Sequence, residues 1–377
     1  MISFKFGIAL LLFTFFVWEQ RKLGDISEII RGASPRPISD PKWFNSNSNI
    51  GWLRISDVTA QHGRIQHLSQ HISILGQAKT RVISTPHLLL SIAASVGYPV
   101  INYVKTGVHD GFLIFENPKF NIDFGFYWLA FYKHEWQKFG QPGSQVNLNS
   151  SIVKKTNIGL PDNVEQKAIV HLLKLIDNRI TLQQRKLESF QFTYHEIIRR
   201  LFLKKAKWQQ TKLSDLVTIL DKNRKPVKKE DRLFGDTPYY GANGIQDYIS
   251  GFTHKGEFIL IAEDGANSLT EYPIYFVKGQ IWVNNHAHVL KVNKDVSPLF
   301  LALALKQINY SKYTVGSSRN KLNLKDLENI AIFIPDNNEQ QKIGQFYSNY
   351  LNYLRINKKR IQYMKQFKQF LLQNMFI

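Results

Sequence analysis

Apolar residues from position 169 onward fall at alternating spacings of four and three: Ile169, Leu173, Ile176, Ile180, Leu187, Phe190, Tyr194, Ile197 and Leu201, with one polar member, Gln183. The same stripe returns 174 residues later at Ile343, Tyr347, Tyr350, Leu354, Asn357, Ile361, Met364, Lys368, Leu371 and Met375. Its polar member, Asn357, matches Gln183, and only Lys368 changes character. No proline or glycine interrupts residues 162–207, and only Gly344 interrupts the second run. The pattern predicts two helices of about 40 residues, roughly 60 Å each, with stripes narrow enough to pair helix against helix as in a coiled coil. Two surface helices, each packed on its own domain, are the plainer alternative. In an antiparallel pair, Gln183 and Asn357 would share one layer and fix the register.

Each run opens on a repeated phrase, GLPDNVEQKAI at 159–169 and FIPDNNEQQKI at 333–343. Asp162 with Glu165, and Asp336 with Glu339, form an aspartate version of the capping box, in which the side chains satisfy amide donors that the first helical turn leaves free. Pro161 and Pro335 close the strand before each helix. A second phrase, WEQRKLGD at 18–25, is echoed by WQQTKLSD at 208–215. The order W-x-Q-x-K-L-x-D, variable stretch, P-D-N-x-E-Q, helix is therefore written twice.

The variable stretches are strand-rich. The first contains ISDV (55–58), HLLLSIAASVGYPVINYV (87–104) and GFLIFENP (111–118); the second contains PYYGANGIQDYI (238–249), EFILIAEDGAN (257–267) and the alternating GQIWVNNHAHVLKV (279–292). Each ends in an apolar helical run, FGFYWLAFYKHEW or SPLFLALALKQINYSKY, before a polar loop. Regular βαβ spacing is absent, so the expectation is two mixed α/β domains of similar plan without a purely parallel sheet.

Charge narrows the class of partner. The 377 residues carry 49 Lys+Arg against 29 Asp+Glu, a formal charge of +20. Such a balance favours a polyanion, nucleic acid ahead of a membrane surface, because the basic residues are spread along the chain. With no cysteine, disulfides and thiolate metal sites are excluded. The apolar run FGIALLLFTFFVW at 6–18 resembles the core of a signal peptide. It falls short of the roughly 20 residues that span a bilayer, and no small-x-small cleavage site follows. Residues 1–17 are read as an atypical apolar leader on a cytoplasmic protein.

Catalytic signatures are weak. Asp162, Glu165 and Lys167 imitate a PD-(D/E)xK nuclease, but they fit one helical turn and the lysine shifts in the second copy. His286 and His288 would share one face of a strand, yet spacing supplies no third metal ligand. DTPY at 236–239 departs from the D/N-P-P-Y motif of amino-methyltransferases, and no phosphate-cradling loop occurs. No catalytic or metal residue is assigned. The late loops, FGQPGSQVNLN (139–149) and VGSSRNKLNL (315–324), hold equivalent places. Their amide and basic side chains suit phosphates and base edges, although an ordinary polar loop reads the same way.

The phrases WEQRKLGD, RISD (54–57), PYYGANGI (238–245), AEDGAN (262–267) and VNNHAHVL (283–290), with the two P-D-N-x-E-Q helix units, resemble the specificity (S) subunit of type I restriction-modification systems. The resemblance runs from Trp18 to the end of the chain. It implies an α/β (α+β) protein of two globular target-recognition domains in a pseudo-repeat, joined and separated by two long antiparallel coiled-coil helices. The expected boundaries are 18–158 and 208–332 for the domains, and 159–207 and 333–377 for the helices. The domains would each read half of a bipartite double-stranded DNA target, with the helices as spacer and as docking site for two methyltransferase (M) subunits. Restriction translocase-endonuclease (R) subunits would join, and S-adenosylmethionine, Mg²⁺ and ATP would belong to those partners, with no cofactor in this chain. Candidate DNA contacts are Arg54, Ser95, Ser144, Gln145, Tyr240, Asn243, His286, Arg319, Asn320 and Lys321. Candidate helix-pairing residues are Ile176, Ile180, Gln183, Leu187, Leu354, Asn357 and Ile361. A single-chain DNA methyltransferase or nuclease is the alternative from another class, and a coiled-coil scaffold without DNA function is a second.

Overall fold

The computed structural model describes residues 18–93, 96–139, 148–203, 208–316 and 320–376. It forms two compact units, Met1–Leu182 with Ile361–Ile377, and Gln183–Arg360.

In the first unit a five-stranded sheet runs in the order Glu28–Arg31, Phe112–Glu116, Leu88–Ser91, Pro99–Asn102, Arg64–Ile65, antiparallel except for the last pair. The unbroken apolar runs of its inner strands follow from burial on both faces. Leu88, Leu90, Leu113 and Phe115 pack with Phe124 and Tyr127 of the helix Ile122–Tyr132. Leu89, Phe112 and Ile114 pack on the other side with Leu53, Val58 and Val108. A smaller sheet, Gly51–Trp52, Thr106–Val108, Arg81–Ile83, completes this side. One expected strand is corrected: residues 55–58 lie in a helix, Ile55–Ala60. The Asp57 carboxylate accepts the Arg54 backbone N–H at 3.0 Å, so a third-position acid starts a helix despite the β-branched residues.

In the second unit a six-stranded sheet runs Val217–Ile219, Ala287–Val292, His254–Ala262, Ile274–Val283, Phe234–Gly241, Gly244–Ile249. Its one parallel pair is Ile274–Val283 with Phe234–Gly241. The alternating run at 279–292 is thus two strands with a turn between them. Ile259, Ile261 and Leu290 face the helix Pro298–Leu305, while Phe258, Leu260, Val283 and Val289 pack on the opposite face. The two large sheets differ in strand number and order, so the similar plan lies in the elements around them.

Those surrounding elements repeat closely. Glu19–Lys22 pairs antiparallel with Asn157–Leu160, and Gln209–Lys212 pairs with Ala331–Ile334 in the same register. Asp162 Oδ1 then accepts the Val164 and Glu165 amides, each at 2.8 Å, and Asp336 Oδ1 accepts the Glu339 amide at 2.9 Å. The Glu165 carboxylate does not complete the box with its own helix: it accepts the Trp18 indole N–H at 3.1 Å, tying the two phrases together. Gln166 and Gln340, the last letter of each P-D-N-x-E-Q phrase, are both 4% exposed. Gln166 accepts the Asn121 amide at 2.8 Å and donates to Pro161 O at 2.9 Å. Gln340 accepts the Ser297 amide at 3.0 Å and donates to Pro335 O at 3.1 Å. Asn121 and Ser297 are the N-caps of the helices Ile122–Tyr132 and Pro298–Leu305. Each glutamine therefore clamps a domain helix to the start of a long helix. Gly344 serves the second clamp, because a Cβ there would stand 2.8 Å from Ser297 Oγ.

The long helices are Asn163–Leu203 and Asn337–Met375. Within the first unit, Ile169 and Leu173 share a core with Leu372 and Phe376. Lys368, the one polar replacement in the second stripe, donates to Asp177 at 2.6 Å, and Asp177 also accepts the Tyr127 hydroxyl at 2.8 Å. Burial together with the Asp177 charge pushes the Tyr127 phenol well above the usual tyrosine range. Within the second unit, Tyr194 stacks on Tyr350 with ring centroids 3.3 Å apart, and Gln183 Nε2 donates to Asn357 Oδ1 at 2.6 Å. The stripe departs from the expected positions near its end, where Ile198 is buried at 2% and Ile197 is 46% exposed. A straight α-helix drifts about 20° per heptad against a 3.5-residue repeat, so after four heptads the facing position moves on by one.

Replacing both Gln183 and Asn357 by leucine is expected to raise the melting temperature while loosening the helix register. Removing only one partner strands a polar group and costs about 1–3 kcal/mol. Thermal unfolding combined with spin-label distances between the helices checks this; a sharp loss of stability at unchanged distances would sink it.

Candidate nucleic-acid interface

Four of the residues picked from the sequence come together in the second unit around the loop at 263–267. Asn243, in the turn after Phe234–Gly241, donates to Gly265 O at 2.9 Å and accepts the Asn267 amide at 3.0 Å. The Gly265 amide donates to Asn320 O at 3.2 Å, and Leu322 N donates to Glu263 O at 2.7 Å. Gly265 has φ +80° with nothing within 4 Å of a built Cβ, so backbone conformation, not space, calls for glycine. His286 Nδ1 stands 3.7 Å from Asp264 Oδ2, and Lys321 forms an isolated bridge with Asp264. The Asn243 amide is spent on shaping this rim, whereas the Lys321 side chain is exposed and His286 half-exposed. Tyr240 is half-buried, packed on the cluster of Phe258 and Leu260, with its ring 6.5 Å from that of Tyr275. Burial pushes its phenol up.

Beneath the rim lies an ionic cluster that the sequence reading missed. Arg224 reaches Glu263 Oε2 at 2.5 Å, Asp221 Oδ2 at 3.3 Å and Ala287 O at 3.0 Å. His288, 1% exposed, holds Asp221 Oδ2 through Nδ1 at 2.6 Å and Leu322 O through Nε2 at 3.0 Å. Burial alone would raise the Asp221 carboxyl, but the bond and charge of His288, the Val289 amide and Arg224 hold it below its usual range. The expected pairing of His286 and His288 on one strand face is corrected. His286 sits in the turn before the strand Ala287–Val292, and His288 finds its acidic neighbours on other elements. Asp221, Glu263 and His288 bring ligand atoms within 4.8 Å of one another. The Arg224 guanidinium already bonds both carboxylates, so a divalent cation would have to displace a charge that the cluster is built around. The arrangement pins the loop at 263–267, the strand Ala287–Val292 and residue 322 together.

In the first unit Arg54 forks onto Asp57, at 3.1 and 3.0 Å, and donates to Ser69 at 2.7 Å. Ser95, Ser144, Gln145 and Arg319 lie outside the described residues, as does the apolar leader at 1–17. Among the described residues no helix is long and apolar enough to cross a membrane.

A frame built twice, each time with a Trp-led strand, a capped long helix and a buried glutamine clamp, defines a tandem-domain class. The profile of the type I restriction modification DNA specificity domain matches residues 17–190 and 205–366. The chain belongs to this family. A putative type I restriction enzyme specificity subunit of Haemophilus influenzae is 44% identical over 131 residues, 35% of this chain and 34% of that protein. The chain thus matches about a third of the Haemophilus protein's length. The EcoprrI specificity subunit of Escherichia coli is 23% identical over 326 residues, 79% of each protein. The crystal structure of a type I restriction-modification S subunit from M. genitalium superposes with a TM-score of 0.64 at 16% identity, covering 96% of both chains. That likeness concerns the fold.

Proposed function

We propose that the chain is the specificity subunit of a type I restriction-modification complex and reads a bipartite double-stranded DNA target. Residues 18–158 and 208–332 each read one half-site, and the paired helices at 159–207 and 333–377 set the spacer and dock two methyltransferase subunits. Translocase-endonuclease subunits join the same complex. S-adenosylmethionine, Mg²⁺ and ATP then belong to the partners, and the complex works in the cytoplasm.

The observation that carries this reading is the repeated frame around unlike sheets. The clamps at Gln166 and Gln340 are alike, whereas the sheets have five and six strands in different orders. A repeated frame suits shared partners, and differing sheets suit two different half-sites. The +20 charge supports a polyanionic ligand. Methylome sequencing of a host carrying this chain with its methyltransferase is expected to return one two-part motif with a fixed gap. A continuous motif, or S-adenosylmethionine binding and Mg²⁺-dependent cleavage by the purified chain alone, would favour a single-chain enzyme instead.

A further inference from the structure

In the second unit a basic segment at 220–233 crosses the sheet from one edge strand to the other. Leu220 N donates to Val289 O at 2.8 Å, Lys225 N to Val283 O at 3.0 Å and Val227 N to Tyr239 Oη at 3.1 Å. At the far edge Ser250 N donates to Leu233 O at 2.8 Å. Two arginines, each with a side chain 15% exposed, fix its ends. Arg224 is held in the ionic cluster with Asp221 and Glu263. Arg232 donates to Asp247 at 3.2 Å and to Val227 O at 3.2 Å, and its guanidinium lies 4.2 Å from the Tyr239 ring centroid. Between these anchors and beside them, Lys222, Lys225, Lys228 and Lys229 are all exposed. Pro226 further restricts the backbone among them.

An arginine held against carboxylates and an aromatic face loses hydration and side-chain freedom, so two of them on one irregular segment fix its path. The outcome is a set of exposed lysines on a backbone tied to the sheet from Val289 to Ser250. Flexible ammonium groups at set positions bind phosphates as point charges, without reading bases.

Resting on the proposed function, we infer that this segment is a strap for the phosphodiester backbone of duplex DNA. Lys222, Lys225, Lys228 and Lys229 contact phosphates, and Arg224 and Arg232 are positioning residues. The test uses the complex of the full chain with its methyltransferase subunits, titrated with target and scrambled duplexes between about 50 and 200 mM salt. The variant K222Q/K225Q/K228Q/K229Q is expected to reduce the slope of log affinity against log salt by about 0.9 for each phosphate that is no longer neutralised, equally for both duplexes. Arg232→Lys preserves the charge but not the fork or the stacking, and is expected to lower the slope at an unchanged melting temperature. An unchanged slope in the strap variant, or an Arg232→Lys variant that melts earlier with its slope intact, would overturn the strap. Absence of salt-dependent duplex binding by the unaltered complex would instead overturn the proposed function.

Discussion

Gln340→Ala is expected to lower the free energy of unfolding by about 3 kcal/mol, and Gln166→Ala by a similar amount. Each truncation leaves one backbone N–H and one carbonyl without a partner: the buried Ser297 amide and Pro335 O in one unit, the half-buried Asn121 amide and buried Pro161 O in the other. A buried group left unsatisfied costs about 1–3 kcal/mol, so two together outweigh a cap or a surface ion pair. Gln340→Glu separates the terms. At neutral pH it keeps the acceptor for Ser297, loses the donor for Pro335 and buries a charge. Burial raises a carboxyl's folded pKa above its unfolded value, so that variant's stability should be largest in acid and fall as the pH rises through the folded pKa. Denaturant midpoints followed by circular dichroism measure all three variants. A loss below about 0.5 kcal/mol for Gln340→Ala would mean that water replaces the clamp.

The frame was legible because its signals are local. An aspartate after proline caps a helix within three residues, and a three-four stripe needs only the period of the helix. Gln166 and Gln340 stand in the repeated phrases with no role that spacing assigns, since their partners at Asn121 and Ser297 lie 45 and 43 residues upstream. Residues 55–58 misled because β-branched propensity spoke for a strand while Asp57 spoke for a helix start, and the acid prevailed through its bond to the Arg54 amide. The strap was hidden in another way. KNRKPVKK at 222–229 is visible as a basic run, but a charge run is usually a solvated face, and only the anchoring of Arg224 and Arg232 distinguishes it. The rim around 263–267 was half legible. Asn243, His286 and the pair Asn320 and Lys321 came from three separate phrases, and their convergence depends on bonds that no spacing rule encodes.

Inserting four helix-forming residues after Leu203 is expected to lengthen the gap in the recognised DNA motif by one or two base pairs and to leave both half-sites unchanged. Four residues add roughly 6 Å to a helix, close to two base-pair steps of about 3.4 Å. Four is also near one full turn of 3.6 residues, so the element that follows keeps nearly its original azimuth around the helix axis. An insertion of two residues turns it by about 200° and is expected to abolish methylation, although the added length is only about 3 Å. The comparison separates a ruler from a tether, because a flexible linker would tolerate both insertions and accept several gaps. Methylome sequencing reads the gap and the half-sites in one measurement. Altered half-sites with an unchanged gap would show that the helices do not set the spacing, and that the readers are positioned by their partners on the DNA.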